Sequence, residues 1–278
     1  MSLYTALITP FKNDGVVDMD AISRLLDMQF DSGVDKVVIF GTTGEAPTLD
    51  DNEKFSILGL IVSKYNNNPD MYNKFVIGFS GNDTIKVISE MEKYIDFPFR
   101  YYMLSSPYYN KPSQNGLYMH FKTIMSNFED KYFMIYNIPG RTGVNIEPDT
   151  MMRIINDTNN YFGVKEASGD IKQIKTLINR GVNVFSGDDS LGYEVVRSGG
   201  VGLVSVASNL YPFEMKHAII NEELNKNMSE MFKLEFIETN PVPIKYMMKK
   251  IGLIGSDKVR LPLVELEDDS KNKINKKL

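Results

Sequence analysis

Short runs of β-branched and aromatic residues alternate along this chain with polar-led segments whose apolar positions recur at helical spacing. Eight runs read as strands: residues 4–9, 36–41, 74–79, 100–105, 132–137, 161–165, 182–186 and 201–206. Between them, Asp20–Ser32 sets Ile22, Leu25, Leu26 and Phe30 on one face, and Asp50–Asn66 does the same with Phe55, Leu58 and Val62. Each such segment follows a strand closely, which is the βα repeat of a parallel sheet. Eight units can close on themselves, whereas an open doubly wound sheet places a Gly-rich phosphate turn after its first strand. Here the first strand runs into Thr9, Pro10 and Phe11. The pattern therefore predicts an α/β fold, a (β/α)8 TIM barrel with additional C-terminal helices. Residues 1–222 are expected to form the catalytic barrel. Residues 223–278, with an amphipathic stretch at 224–236, a helix at 242–250 and a charged tail, are expected to pack on it as a helical extension or to serve subunit assembly.

Composition narrows this only slightly. A length of 278 residues with 42% hydrophobic content suits one large core or two small domains, and the unbroken repeat favours the former. The absence of Cys excludes disulfides, thiolate nucleophiles and thiolate metal sites. A formal charge of -5 argues against a surface that tracks nucleic-acid phosphates. No apolar run is long enough to cross a bilayer, and the start MSLYTALITPFKNDG lacks the basic and cleavage elements of a signal peptide, so a cytoplasmic protein is expected.

In a barrel the loops after the strands converge at one mouth. Five strand ends here are rich in polar residues or glycine: Gly41-Thr42-Thr43-Gly44-Glu45, Pro107-Tyr108-Tyr109-Asn110, Tyr136 to Arg141, Lys165-Glu166-Ala167-Ser168-Gly169 and Ser186-Gly187-Asp188-Asp189. Lys165 stands out because it directly follows an apolar strand, where lysine is a poor and rarely buried residue. An ordinary lysine, with pKa about 10.4, is neutral in roughly one molecule in a few thousand at pH 7, and a dry barrel interior lowers that pKa toward nucleophilic use. The plainer alternative is a structural Lys165–Glu166 pair, which the opposite facing of adjacent strand residues disfavours. The glycine-flanked Thr42 and Thr43 expose backbone N–H groups and hydroxyls suited to a carboxylate, or else form a tight βα turn. Tyr136 and Tyr109 end the fifth and fourth units, and a proton relay from Tyr136 through Thr43 to a second tyrosine requires their loops to meet. Arg141 suits a bidentate carboxylate clamp or a rim salt bridge. Asp188, Asp189 and Glu166 invite a Mg²⁺ reading, which a lysine at the same mouth weakens. Neither His120 nor His217 falls at a strand end.

Taken together, these segments, with Ser106 to Pro112, Gly163-Val164-Lys165-Glu166-Ala167 and Asn240-Pro241-Val242-Pro243-Ile244-Lys245, resemble the dihydrodipicolinate synthase and N-acetylneuraminate lyase superfamily, and within it the dihydrodipicolinate synthases. The resemblance runs in order over nearly the whole chain. It implies a barrel enzyme, usually a homotetramer built as a dimer of dimers, that condenses pyruvate with L-aspartate 4-semialdehyde to 4-hydroxy-tetrahydrodipicolinate, toward diaminopimelate and lysine. Lys165 would form the imine with pyruvate; Thr42 and Thr43 would hold its carboxylate. Tyr136 would shuttle protons, with Thr43 linking it to Tyr109, which in this family crosses into the partner's site. Arg141 would receive the semialdehyde carboxylate, and Val204 matches a residue whose backbone carbonyl faces the site. The resemblance implies no metal and no organic cofactor.

The chain departs from the family pattern where some members bind lysine as an inhibitor. Asp51 and Lys54 stand after the Gly41–Glu45 loop, and Lys86 replaces a carboxylate, while Asn82 and Tyr108 are retained. Weak or absent lysine inhibition is the expectation, because like charges would be buried together. Three rivals remain: a sister aldolase acting on N-acetylneuraminate or a 2-keto-3-deoxy sugar acid, whose members generally lack an arginine at position 141; a metal-dependent lyase using Asp188, Asp189 and Glu166; and a barrel without activity.

Overall fold

The computed structural model describes residues 1–278 and forms a closed barrel of eight parallel strands in chain order. The strands are β1 (Ser2–Ala6), β2 (Lys36–Ile39), β3 (Phe75–Phe79), β4 (Tyr101–Ser105), β5 (Tyr132–Asn137), β6 (Tyr161–Glu166), β7 (Val184–Ser186) and β8 (Gly202–Ser205). All eight predicted runs overlap a strand. The first starts and ends earlier than expected, because Ser2 to Thr5 pair with Gly202 to Ser205 of β8 and this register closes the barrel.

The helices in chain order are α1 (Met19–Asp31), α2 (Asp51–Lys64), α3 (Thr84–Glu92), α4 (Gln114–Asn127), the one-turn α5 (Pro139–Thr142), α6 (Pro148–Asn156), α7 (Ile171–Asn179), α8 (Asp189–Arg197), α9 (Pro212–Ala218), α10 (Glu222–Asn227), α11 (Ser229–Leu234), α12 (Val242–Lys250) and α13 (Asp268–Asn275). Their starts follow from local chemistry. Asp50 caps α2 through a reciprocal capping box with Glu53, and Asp83, Asp170 and Asp188 cap α3, α7 and α8. The face of α2 differs from the sequence expectation: Ile57, Leu58 and Ile61 are buried, while Phe55 is part exposed against Tyr94 and Phe97. The expected stretch at 224–236 is two short helices that meet at Met228, and the charged tail contains a helix, α13.

Two apolar layers result. The larger lies between the strands and the surrounding helices, with Phe75, Phe121, Phe133 and Leu203 fully buried. The smaller fills the barrel itself with Tyr4, Ala6, Val38, Val76, Met103, Met134, Tyr136, Phe185 and Val204. Alternation along each strand divides its residues between the layers, as Met134 and Tyr136 inside with Phe133 and Ile135 outside illustrate. No helix is long and apolar enough to cross a membrane.

Candidate active site

Strand register brings the first pair together. Tyr136 pairs with Lys165 across β5 and β6, and Lys165 with Phe185 across β6 and β7, so the three stand side by side on the inner face. The Lys165 Nζ lies 4.2 Å from the centre of the Tyr136 ring and has no hydrogen-bonding or ionic partner in the protein. Burial pulls the Lys165 pKa down to about 8, against a smaller upward pull from Asp189 and a further lowering by Arg141. Burial also pushes the Tyr136 phenol well above its usual range, which keeps it protonated and able to donate.

Glu166, the next residue, faces outward. Its carboxylate accepts from the Asn137 side chain at 3.0 and 3.1 Å, from the Ser168 backbone N–H at 2.8 Å and from the Gln173 amide at 3.2 Å. The Lys165–Glu166 pair considered from sequence is therefore absent. Glu166 instead fixes the loop after β6 from behind, so strand alternation alone separates the amine from its neighbouring acid.

A cavity of about 120 Å³ sits over Lys165, lined by Thr42, Thr43, Tyr136, Ile138, Arg141, Ala167, Gly187, Asp188, Val206, Phe236 and Asn240. Of the residues singled out from sequence, Lys165, Tyr136, Thr42, Thr43 and Arg141 meet here. Arg141 is exposed on the one-turn α5, and its guanidinium has no protein carboxylate, so the rim salt bridge considered earlier does not form. Val204 is buried in the barrel layer, and Val206 is the β8-end residue that lines the cavity. Tyr109 does not join the other residues within one chain. It is 86% exposed, with φ +73°, and its backbone N–H donates to Thr142.

The Gly41–Glu45 loop is held from below. Thr9 Oγ1 donates to the Gly44 carbonyl at 2.7 Å, and Glu45 takes the left-handed conformation at φ +51°. That strained residue is fixed by Lys245, which donates to Glu45 Oε1, and by the Arg260 backbone N–H at 2.9 Å to Oε2. Asn240 Nδ2 donates to Thr43 Oγ1 at 2.9 Å. The C-terminal extension thus lines the cavity with Phe236 and Asn240 and braces its threonine loop. This role of the Asn240–Lys245 motif is not legible in the sequence, because its partners lie about 200 positions away.

The acids weighed as metal ligands do not converge. Asp188 caps α8 through Ser190, Asp189 accepts from Ser205 Oγ and from the Val206 N–H at 2.8 Å, and no three His, Asp or Glu residues come together to hold an ion. His120 is buried on α4 with Nδ1 2.9 Å from Thr84 Oγ1, and His217 lies on α9, both away from the cavity.

The profile of the dihydrodipicolinate synthetase family matches residues 1–278. The chain belongs to this family. The 4-hydroxy-tetrahydrodipicolinate synthase of Chloroherpeton thalassium is 40% identical over 286 residues, covering 98% of this chain and 92% of the relative. That of Thermotoga neapolitana is 37% identical over 275 residues, covering 94% and 91%. Among solved structures, the dihydrodipicolinate synthase of Thermotoga maritima superposes with TM-score 0.92 at 32% identity, over 99% of this chain and 96% of that one. A monomeric dihydrodipicolinate synthase variant superposes with TM-score 0.93 at 32% identity, over 99% and 94%.

Within this dihydrodipicolinate synthetase family member, a second and larger cleft of about 380 Å³ lies outside the Gly41–Glu45 loop, with Lys54, Asn82, Lys86, Glu90 and Tyr108 in its walls. Lys54 pairs with Glu90 at 2.8 Å, and Lys93 pairs with both Glu90 and Asp51. The cleft therefore retains a carboxylate one turn beyond Lys86, but two lysines already occupy it.

Proposed function

We propose that the chain is a Schiff-base aldolase that condenses pyruvate with L-aspartate 4-semialdehyde to give 4-hydroxy-tetrahydrodipicolinate. The observation that carries this reading is the buried, unpartnered Lys165 amine beside Tyr136, at the floor of a cavity that holds paired threonines and an unpaired arginine. At a pKa of about 8, roughly a tenth of Lys165 is neutral at pH 7, about two-hundredfold more than an ordinary lysine provides.

The neutral amine adds to the keto carbon of pyruvate. The carbinolamine hydroxyl leaves as water on taking a proton, for which the Tyr136 phenol is the adjacent donor. Thr42 and Thr43 hold the pyruvate carboxylate through N–H and hydroxyl groups. Loss of a methyl proton yields the enamine, whose terminal carbon attacks the aldehyde while the aldehyde oxygen takes a proton. The amino group of the former aldehyde then adds to the imine carbon and expels the Lys165 amine, closing the ring. Arg141 clamps the second carboxylate, and its guanidinium is free to do so. A sugar-acid substrate would need room for a polyol and no second clamp, so the free Arg141 and the small cavity favour the semialdehyde.

The exposed Tyr109 supports an assembly in which a second copy covers it and receives its phenol, as in the dimer-of-dimers arrangement expected from the resemblance. Borohydride reduction with pyruvate followed by peptide mass analysis tests the chemistry: the expected product is a reduced adduct on Lys165. An active enzyme without that adduct sinks the mechanism, and turnover with sugar acids but not with aspartate semialdehyde sinks the substrate assignment.

A further inference from the structure

Glu235 has no part in the chemistry above, yet it is among the most buried acids in the chain. It is fully buried just after α11, and neither carboxyl oxygen receives a hydrogen bond from any donor. A carboxylate in that position would be a buried charge with no compensation, which costs several kcal/mol and is avoided by protonation. A protonated carboxyl needs an acceptor, and α11 packs against α8, which opens on the buried carboxylate of Asp189, the acid that bears on Glu235. Asp189 already accepts from Ser205 Oγ and from the backbone N–H groups of Val206 at 2.8 Å and Ala207 at 3.3 Å. Those three donors explain why Asp189 keeps the negative charge and Glu235 keeps the proton.

The location gives this pair a functional reach. Asp189 follows Gly187 and Asp188, both of which line the cavity, and Phe236, the residue after Glu235, lines it too. The charged groups that bear on the pair are Asp188, on the same turn as Asp189, and Lys165, which lines the same cavity as Asp188 and Arg141. We propose that Glu235 is a positioning residue: a neutral carboxylic acid that donates its proton to Asp189, fastens the C-terminal extension to the cavity rim, and couples the charge of this acid pair to the Lys165 amine.

With one shared proton the pair carries a single negative charge. Loss of that proton adds a second negative charge behind Lys165, which stabilises the ammonium and repels α11 from α8. Deprotonation of Lys165 is then spread over a wider pH range than that of a lone amine, because the two titrations oppose each other. This inference rests on Lys165 being the imine-forming amine, but the protonation state of Glu235 can be read without turnover.

The test is infrared difference spectroscopy of the full-length protein near neutral pH, wild type against E235Q, together with the pH profile of borohydride trapping with pyruvate. The expected result is a carbonyl stretch of a buried protonated carboxyl that disappears in E235Q. The amide of the variant still donates to Asp189, so trapping is retained, and its pH dependence sharpens to that of a single proton. E235L, which removes the donor and adds no charge, should show the same sharpening. A wild-type spectrum without a protonated carboxyl band overturns the proposal. So does a band followed by superimposable pH profiles for wild type, E235Q and E235L. If the substitutions prevent folding, a pH titration of the band in wild type decides: a band unmoved while the trapping rate passes through its full alkaline rise overturns the coupling. Failure to trap pyruvate on Lys165 in wild type would remove the assigned chemistry while leaving the infrared result intact.

Discussion

Lys165 and Lys245 are both buried, and burial pulls each to a pKa of about 8, yet the fold uses them in opposite ways. Lys245 donates to Glu45 and, at 3.0 Å, to the Lys258 carbonyl, and it rests 4.1 Å above the Phe11 ring. Its ammonium is matched on several sides and serves to hold the strained Glu45 at the end of the threonine loop. Lys165 meets only the face of Tyr136 and the distant charge of Asp189. Burial alone therefore does not make a lysine a nucleophile. The deciding feature is whether the surrounding groups satisfy the ammonium or leave the neutral amine as the easier state.

The largest expected effect comes from exchanging each lysine for methionine. K165M should abolish condensation, lowering kcat by about 10⁴-fold or more as for loss of a nucleophile. It should also stabilise the fold at pH 7 by about 1–3 kcal/mol, because an unmatched buried amine is replaced by an apolar chain of similar volume. The stability gain should shrink as pH rises from about 8 toward 10.5. In that window the unfolded lysine still holds a proton that the folded one has released, so wild-type stability climbs. K245M should do the reverse, costing about 3–5 kcal/mol by stranding Glu45. Urea unfolding at several pH values measures both, and the same sign of stability change for the two variants would break the comparison.

A smaller effect is expected at Gly187, where an added Cβ would stand 2.7 Å from Ala167 Cβ and 3.0 Å from Lys165 Cε. G187A should lower kcat by about tenfold, since it displaces the amine from its place beside Tyr136, and should cost about 1–3 kcal/mol of stability through the clash with Ala167. A variant with unchanged kcat would show that the amine tolerates movement. The pH dependence sharpens the comparison further: trapping of pyruvate should rise with pH through about 8 as Lys165 loses its proton, and a profile centred near the ordinary lysine value would contradict the burial argument. The smallest effect concerns the outer cleft. Because Lys54 and Lys93 already hold Glu90, added free lysine should leave the initial rate nearly unchanged. Strong inhibition at submillimolar lysine would overturn this.

Much of the site was legible because each of its central residues lies at the end of a predicted strand. Lys165, Tyr136 and Thr43 are marked by chemistry out of place in an apolar run or by flanking glycines, and closure of eight βα units obliges such ends to meet. The outward role of Glu166 was legible for the same reason, strand alternation. The contributions of Phe236, Asn240 and Lys245 were not, because helical periodicity describes only which face of a segment is apolar and not which loop it will touch. The same limit hid the buried face of α2, where Phe55 is drawn outward by the aromatic rings of Tyr94 and Phe97.

By itself the sequence determined the barrel, since the alternation of strand and helix periods leaves few ways to bury both layers. It also placed a lysine, a tyrosine, two threonines and an arginine at one mouth. Only the tertiary structure decided which buried lysine is matched by partners and which is left without one. That choice depends on partners such as Glu45 for Lys245, which contacts distant along the chain bring into the same low-dielectric space.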